Sequence, residues 1–128
     1  MRHFLPLLAL FVALPAQATC MFARDTEPSD WYAWAEVLVA ADVENVERES
    51  GTDFLALRVV ETFKGPTGAQ TMTVQVPDKL WAACRLDVPQ IGDRVLGALN
   101  ANNDALVVPL SADYVERLRA ASPATGPR

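Results

Sequence analysis

Four acidic side chains lie next to apolar runs, where a carboxylate can be partly shielded from water: Glu36, Glu61, Asp78 and Asp87. Two carboxylates at a short separation can act as general acid and nucleophile, as they do in glycoside hydrolysis. The four acids are spaced singly along the chain, and exposed strand or loop positions are their usual place. They keep a small carboxylate-dependent hydrolase or lyase open as an alternative function, and they assign no catalytic residue.

The only histidine is His3, which lies in a segment that we expect to be removed on export. A mature chain without imidazole excludes the Ser-His and Cys-His pairs of nucleophilic catalysis. It also lacks the commonest zinc ligand, and two cysteines far apart in sequence do not make a tetrahedral site. The spacing of a calcium loop and that of a phosphate loop are absent as well. We therefore predict a protein that is not an enzyme and has no metal and no cofactor.

Residues 1–18 have the pattern of a secretory signal peptide. Arg2 precedes the apolar run FLPLLALFVAL, and the small-residue motif AQA stands at residues 16–18. The run is shorter than the roughly 20 residues that span a bilayer. The sequence thus predicts a mature chain that begins at Thr19 in the periplasm or the extracellular space, with no membrane attachment after cleavage.

The chain is acidic, with a formal net charge of -5 at pH 7, and the loss of Arg2 with the signal peptide lowers it by one. Binding to a phosphate backbone needs clustered lysine and arginine. Binding to single-stranded nucleic acid also uses aromatic residues interleaved with that positive charge. The apolar and polar alternation of this chain offers no such face, so we predict no nucleic-acid partner.

Both cysteines, Cys20 and Cys84, lie in the part of the chain that we expect to be exported. Oxidising compartments favour pairing, which predicts a Cys20–Cys84 disulfide. The bond would close a loop of about 65 residues and contribute on the order of 4 kcal/mol. A lipid anchor on Cys20 is the alternative. Against it, Thr19 and Gln17 stand where a lipoprotein signal needs a small and an aliphatic residue.

The mature chain is long enough for one domain. The stretch DTEPSDWYAW predicts a short helix over residues 28–34, with Trp31 and Trp34 on one face as a cover for the core. The stretch SADYVERLRAAS predicts an amphipathic helix capped by Ser111. The tail from residue 122 to residue 128 is expected to be disordered.

Five stretches between the two helices have the alternation or the apolar content of strands: AEVLVAADVENVE, DFLALRVVETFK, QTMTVQVP, RVLGALN and ALVVPL. We expect the first two to pair antiparallel and the second to end at Gly65, because the proline that follows cannot continue a ladder. The stretch DKLWAACRLDVPQIGD is expected to form an irregular connection that carries Cys84. One mainly β domain is predicted.

Four segments match a known pattern in order and spacing: Glu36–Val43, Val59–Gly65, Cys84 and Gly92–Leu96. Together they resemble the netrin-like module, the fold of the tissue inhibitors of metalloproteinases and of related bacterial secreted domains. The resemblance implies a five-stranded OB-type Greek-key barrel over residues 19–121, with a short N-terminal and a C-terminal helix. It also implies that the N-terminal cysteine is bonded to the loop before the fourth strand.

The N-terminus departs from that family. The metalloproteinase inhibitors begin with Cys-x-Cys, whereas here Thr19 precedes Cys20 and the third of these positions is Phe22. The resemblance therefore implies the fold and the disulfide, and not the inhibition of metalloproteinases. The leading hypothesis is a secreted, non-catalytic module that holds a protein partner with the barrel face or with a ridge of Thr19, Met21 and Phe22. A structural role in the cell envelope is a further alternative.

Overall fold

A computed structural model of the protein describes residues 26–68 and 70–123. The elements in chain order are α1 (Pro28–Trp34), β1 (Val37–Glu49), β2 (Thr52–Lys64), β3 (Thr71–Pro77), α2 (Asp78–Ala83), β4 (Arg94–Leu99), β5 (Ala105–Pro109) and α3 (Ala112–Ala121). None of the helices in these two ranges has the length and the apolar composition that a membrane crossing needs.

The five strands form one antiparallel sheet in the order β3-β2-β1-β4-β5. The predicted antiparallel pairing of β1 with β2 is confirmed, and β2 ends at Lys64, before Gly65. The register between β1 and β2 shifts at three places, and such bulges bend and twist a strand pair. The mainly β class is therefore confirmed. The sheet is open, because among the described residues no ladder joins the edge strands β3 and β5.

Helix α1 has the bounds that the sequence predicts. Pro28 occupies its first turn, where the missing amide hydrogen would have no helical partner in any case. Trp31 is 2% exposed, and its ring meets that of Trp34 edge to face at a centroid distance of 6.2 Å. The pair covers the core as expected, since buried aromatic rings contribute large apolar areas.

Apolar side chains pack on both faces of the sheet. One cluster lies beneath the helices α1 and α3 and includes Leu38, Leu96 and Leu118. The other lies on the opposite face and includes Leu55 and Val107, with α2 against its end. Strands buried on two faces have nearly continuous apolar sequences. This accounts for VLVAA in β1 and ALVV in β5, in which the alternation is weak.

The connection after β3 differs from the expectation of an irregular loop. Residues Asp78–Ala83 form α2, which begins directly after Pro77, the last residue of β3. A helix of six residues is too short to show a clear apolar period, although an acidic residue in the first turn, here Asp78, is typical of a helix start. The helix matters for the fold because it brings Trp81 into the core at 3% exposure.

Helix α3 is capped as predicted. The Ser111 hydroxyl accepts a hydrogen bond from the amide of Tyr114 at 3.2 Å. Leu118 is fully buried, and its carbonyl accepts a 2.7 Å hydrogen bond from the hydroxyl of Tyr32 in α1. Ser122 ends the helix and is 8% exposed. The two terminal helices are therefore joined to each other as well as to the sheet.

Candidate functional site

An open groove of about 760 Å³ lies on the described surface. Its walls come from α1, from the loop after α2, from the start of β4, from the end of β5 and from the start of α3. The apolar part is formed by Trp31, Leu86, Val88, Val108 and Leu110. Cavities of this size, with an apolar lining and a few polar groups, are the usual form of a binding site.

The start of β4 and the end of β5 form the floor of the groove. The amide of Leu110 donates to the carbonyl of Arg94 at 3.2 Å, which continues the β4–β5 ladder past its last paired residues. Val95 and Val108 are both buried there. Hydrogen-bonded strands are rigid supports, so the shape of this part of the groove is set by the sheet.

The loop after α2 forms the opposite wall, and its second residue has an unusual backbone. Arg85 has φ 59°, in the left-handed region that non-glycine residues seldom occupy. Its amide donates to the carbonyl of Ala82 at 3.1 Å, and the amide of Leu86 donates to the carbonyl of Trp81 at 2.7 Å. These bonds hold the strained residue and turn the Leu86 side chain toward the cavity that it lines.

Charged side chains stand at the mouth of the groove. Arg85 and Asp87 are exposed and line the cavity, and within the described ranges neither forms an ion pair. Arg94 also lines it, but its guanidinium is bound to Asp42. The arginine holds the pKa of the Asp42 carboxyl below its usual value. Arg85 and Asp87 therefore remain available for a ligand or another segment.

The wall of the groove includes Thr26, which precedes α1. The carbonyl of Thr26 accepts a short hydrogen bond from the hydroxyl of Tyr114 in α3. Burial raises the pKa of Tyr114, so the hydroxyl stays protonated and can donate this bond at neutral pH. Arg117 stacks over the Tyr114 ring at 5.1 Å and pairs with Glu27 at 3.2 Å. The position of Thr26 beside the groove is thus fixed by α3.

A tight turn at residues 90–93 lies next to the groove. The Asp93 carboxylate accepts from the amide of Gln90 at 2.9 Å, and the amide of Asp93 donates to the carbonyl of Gln90 at 3.0 Å. Gly92 has φ 97°, a conformation that glycine adopts without strain. The turn presents Ile91 to solvent at 68% exposure. An apolar side chain held outward on a rigid turn is suited to contact with another molecule.

The four acids that the sequence analysis names lie in different parts of the fold. Glu61 accepts two hydrogen bonds from Arg119 at 2.7 and 2.9 Å, which lowers the pKa of its carboxyl. Asp78 begins α2 directly after Pro77, which pairs with Thr52 at the start of β2. Thr52 and Glu61 are nine strand residues apart, which corresponds to about 30 Å. Glu36 is exposed before β1, and Asp87 lines the groove. The structure therefore separates Glu61 from Asp78, and of the four acids it places only Asp87 in the groove wall.

A fifth acid, Asp53, is the most buried of the described carboxylates at 1% exposure. Arg48 donates to its two oxygens at 2.7 and 2.9 Å, and the indole of Trp81 donates to Oδ2 at 2.7 Å. The arginine, together with the indole, holds the pKa of Asp53 below its usual value, although burial opposes this. The sequence did contain a signal, because Asp53 stands two residues before the inward-facing Leu55. Every bond of this carboxylate is internal, so the cluster fixes α2 to the β1–β2 hairpin.

The structure describes one residue of the predicted disulfide, Cys84, and none of the predicted ridge. Cys84 is 6% exposed, immediately before the groove-lining Arg85, and no cysteine in the described ranges is a free thiol. Cys20 and the ridge residues Thr19, Met21 and Phe22 lie outside the described residues, as does the signal peptide. The Cys20–Cys84 pairing and the contact ridge stay predictions.

Within residues 26–68 and 70–123, no cluster of three or more acidic, cysteine or histidine side chains is placed to hold a metal ion.

The groove itself was not predicted from sequence. Its walls come from five separate elements. The one indication in the sequence is that the loop stretch DVPQIGD contains apolar residues, which need a partner to cover them. The chain matches no protein-family model and no curated protein.

Proposed function

We propose that this protein is a secreted, non-catalytic module that binds a protein partner. Its contact surface consists of the ridge of Thr19, Met21 and Phe22 together with the groove rim, which we define as Arg85, Asp87 and Ile91. The observation that carries this proposal is the open groove of about 760 Å³ with charged side chains at its mouth.

The groove rim has the chemistry of a protein-binding surface. Ile91 supplies an exposed apolar contact, and Arg85 and Asp87 supply one charge of each sign without an ion-pair partner in the described ranges. Apolar and arginine side chains in the middle of a contact, with polar groups around them, are the usual composition of protein interfaces. The charges would fix the orientation of a partner more than they would add affinity.

The strand order supports the finer fold that the resemblance implies. In a Greek key, three consecutive hairpin-connected strands are followed by a fourth that returns to lie beside the first. Strands β3-β2-β1-β4 have this spatial order. Some Cα atoms of β3 and β5 lie within 8 Å of each other, and three bulges curve β1 against β2. We propose a partly open, OB-type barrel of the netrin-like kind.

Export to the periplasm or extracellular space and a Cys20–Cys84 bond belong to the same proposal. Cys84 lies in the loop before β4, where the resemblance places the partner of the N-terminal cysteine. The bond would hold the ridge next to the groove rim. A contact surface assembled from both parts would then exist only in the oxidised protein.

The test is a pull-down from periplasmic or culture extract with the disulfide intact. Ile91→Ser removes the apolar contact of the rim, and Val60→Ser is its matched control, since Val60 is the other exposed large apolar residue of the described chain. We expect the wild type and Val60→Ser to retain the same partner, and Ile91→Ser to retain at least tenfold less. No partner above background, or equal recovery by all three proteins, would contradict the proposal.

A further inference from the structure

We infer that the free edge of β1 at residues 45–49 is a docking site for an extended, positively charged segment of another protein, which adds to the sheet as a further strand. The site goes beyond the proposed function and shares no residue with the groove rim, so either can fail without the other. Two observations support it: the unpaired backbone of this edge and the charge of its side chains.

Strand β1 is longer than its neighbour β4. It extends to Glu49, but β4 pairs with it only as far as Asp42. Two backbone hydrogen bonds continue the pairing to Val43, and the tight turn at residues 90–93 then ends it. No backbone hydrogen bond joins residues 45–49 to any described residue outside β2. One side of this stretch is therefore a free strand edge.

The hydrogen bonds of β2 show which backbone groups the edge leaves unpaired. The amide of Val59 in β2 donates toward β3, to the residue before that strand. Because the bonding direction alternates along a strand, Phe54 bonds toward β1, where its partner is Glu47. The residues on either side of Glu47 are Val46 and Arg48. Their amide and carbonyl groups therefore point away from β2, toward the free edge.

The side chains of Val46 and Arg48 are held on the inner face of the sheet. Val46 packs against the apolar cluster that includes Leu55, and Arg48 donates two hydrogen bonds to Asp53. These contacts keep the edge extended. A regular edge with unpaired amide and carbonyl groups is the template for strand addition. An added antiparallel strand would form its paired hydrogen bonds at Val46 and Arg48.

The charge of the edge selects the kind of strand that can be added. Glu47 and Glu49 alternate with Arg48 and so lie on the outer face. Both are exposed, and neither forms an ion pair among the described residues. A second copy of this chain would bring acids opposite acids, which is destabilising. A segment with lysine or arginine at alternate positions would instead place a cation beside each acid.

The first measurement is a titration of the exported protein with two labelled peptides, followed by fluorescence anisotropy. The peptide TKVKVKT has lysine at alternate positions, and TEVEVET has glutamate there instead. We expect TKVKVKT to bind at least tenfold more tightly. Glu47→Lys should weaken this binding at least tenfold. Glu36→Lys, the same charge change at an exposed residue before β1, should not. Equal affinity for both peptides, or equal losses in both variants, would overturn the inference.

Amide hydrogen exchange then tests whether the peptide adds as a strand. Saturation with TKVKVKT is expected to slow exchange at Val46 and Arg48 at least tenfold and to leave Glu47 unchanged, since the Glu47 amide already bonds to β2. Val46→Pro removes one edge amide that has no bond to β2, and it should weaken binding at least tenfold. If that variant does not fold, exchange in the wild type decides. Unchanged exchange at both edge amides would overturn the inference, even if the peptide binds.

Discussion

The indole of Trp81 donates a 2.7 Å hydrogen bond to Oδ2 of Asp53, and both residues are almost completely buried. The bond joins α2 to the β1–β2 hairpin, at the end of the sheet where Arg48 closes over the carboxylate. A buried indole usually finds such an acceptor, because an unpaired donor in the core is unfavourable. The loop that follows α2 leads directly to Cys84 and Arg85. The bond therefore helps to position one wall of the groove.

Substitution Asp53→Ala is expected to destabilise the protein by about 2 kcal/mol, the cost of leaving the buried Trp81 donor without an acceptor. Glu47→Ala is the control, since it removes an exposed acid from the neighbouring strand of the same hairpin. Exposed substitutions usually change stability by less than about 0.5 kcal/mol. Chemical unfolding measures both. Equal unfolding midpoints would show that Asp53 does not anchor α2.

The same carboxylate predicts how stability depends on pH. Arg48 keeps the folded pKa of Asp53 below the ordinary value of 3.8. A group with a depressed folded pKa stabilises the protein above its unfolded pKa, and this stabilisation is lost as the pH falls through the folded pKa. We expect the free energy of unfolding to decrease as the pH is lowered below about 4. Asp53→Asn should flatten that decrease, and an unchanged slope would contradict the assignment.

The turn after β2 contains two glycines with positive φ, Gly65 and Gly68, and only at Gly65 would a side chain also meet backbone atoms. Gly65 has φ 102°, and a Cβ there would lie 3.0 Å from the carbonyl oxygen of Glu36 and 3.3 Å from Cα of Val37. Gly68 has a similar φ of 96° with nothing within 4 Å of the added atom. We expect Gly65→Ala to lower Tm clearly more than Gly68→Ala, because both incur backbone strain and only the first also meets backbone atoms. Equal losses would contradict this close approach.

The bond between the terminal helices gives a further expectation. Tyr32→Phe removes the hydroxyl that donates to the carbonyl of Leu118, and a net loss of about 1 kcal/mol is typical of one hydrogen bond. Tyr114→Phe is the informative comparison, because it removes the bond to Thr26 at the groove instead. Urea unfolding of both variants measures the two contacts. A Tyr32→Phe protein as stable as the wild type would show that this bond does not join α1 to α3.

Much of the fold was predictable because the apolar pattern of several elements is strong. Helix α1, the alternation of β3 and the Ser111 cap of α3 appear in the structure as expected. Helix α2 was missed because it has only six residues and because its Trp81 faces a core formed by distant strands. Local periodicity carries no information about such packing.

The groove was less accessible to sequence reasoning than the strands. Its walls meet only after the loop at Arg85, the turn at Ile91 and the start of α3 have been brought together by the sheet. The left-handed backbone of Arg85 has no signal in its residue type, since glycine or asparagine would be the usual choice. The burial of Asp53, by contrast, could have been inferred from the sequence. Asp53 lies two residues before the inward-facing Leu55 and therefore on the same face of β2.

The most direct measurement is the intact mass of the exported protein, alkylated with and without prior reduction. The proposed contact surface joins the ridge to the groove rim only if Cys20 is bonded to Cys84. We predict a mass that begins at Thr19, with no alkylation before reduction and two alkylated cysteines after it. An acylated Cys20, or two thiols that react without reductant, would contradict the tethered N-terminus and the contact surface that depends on it.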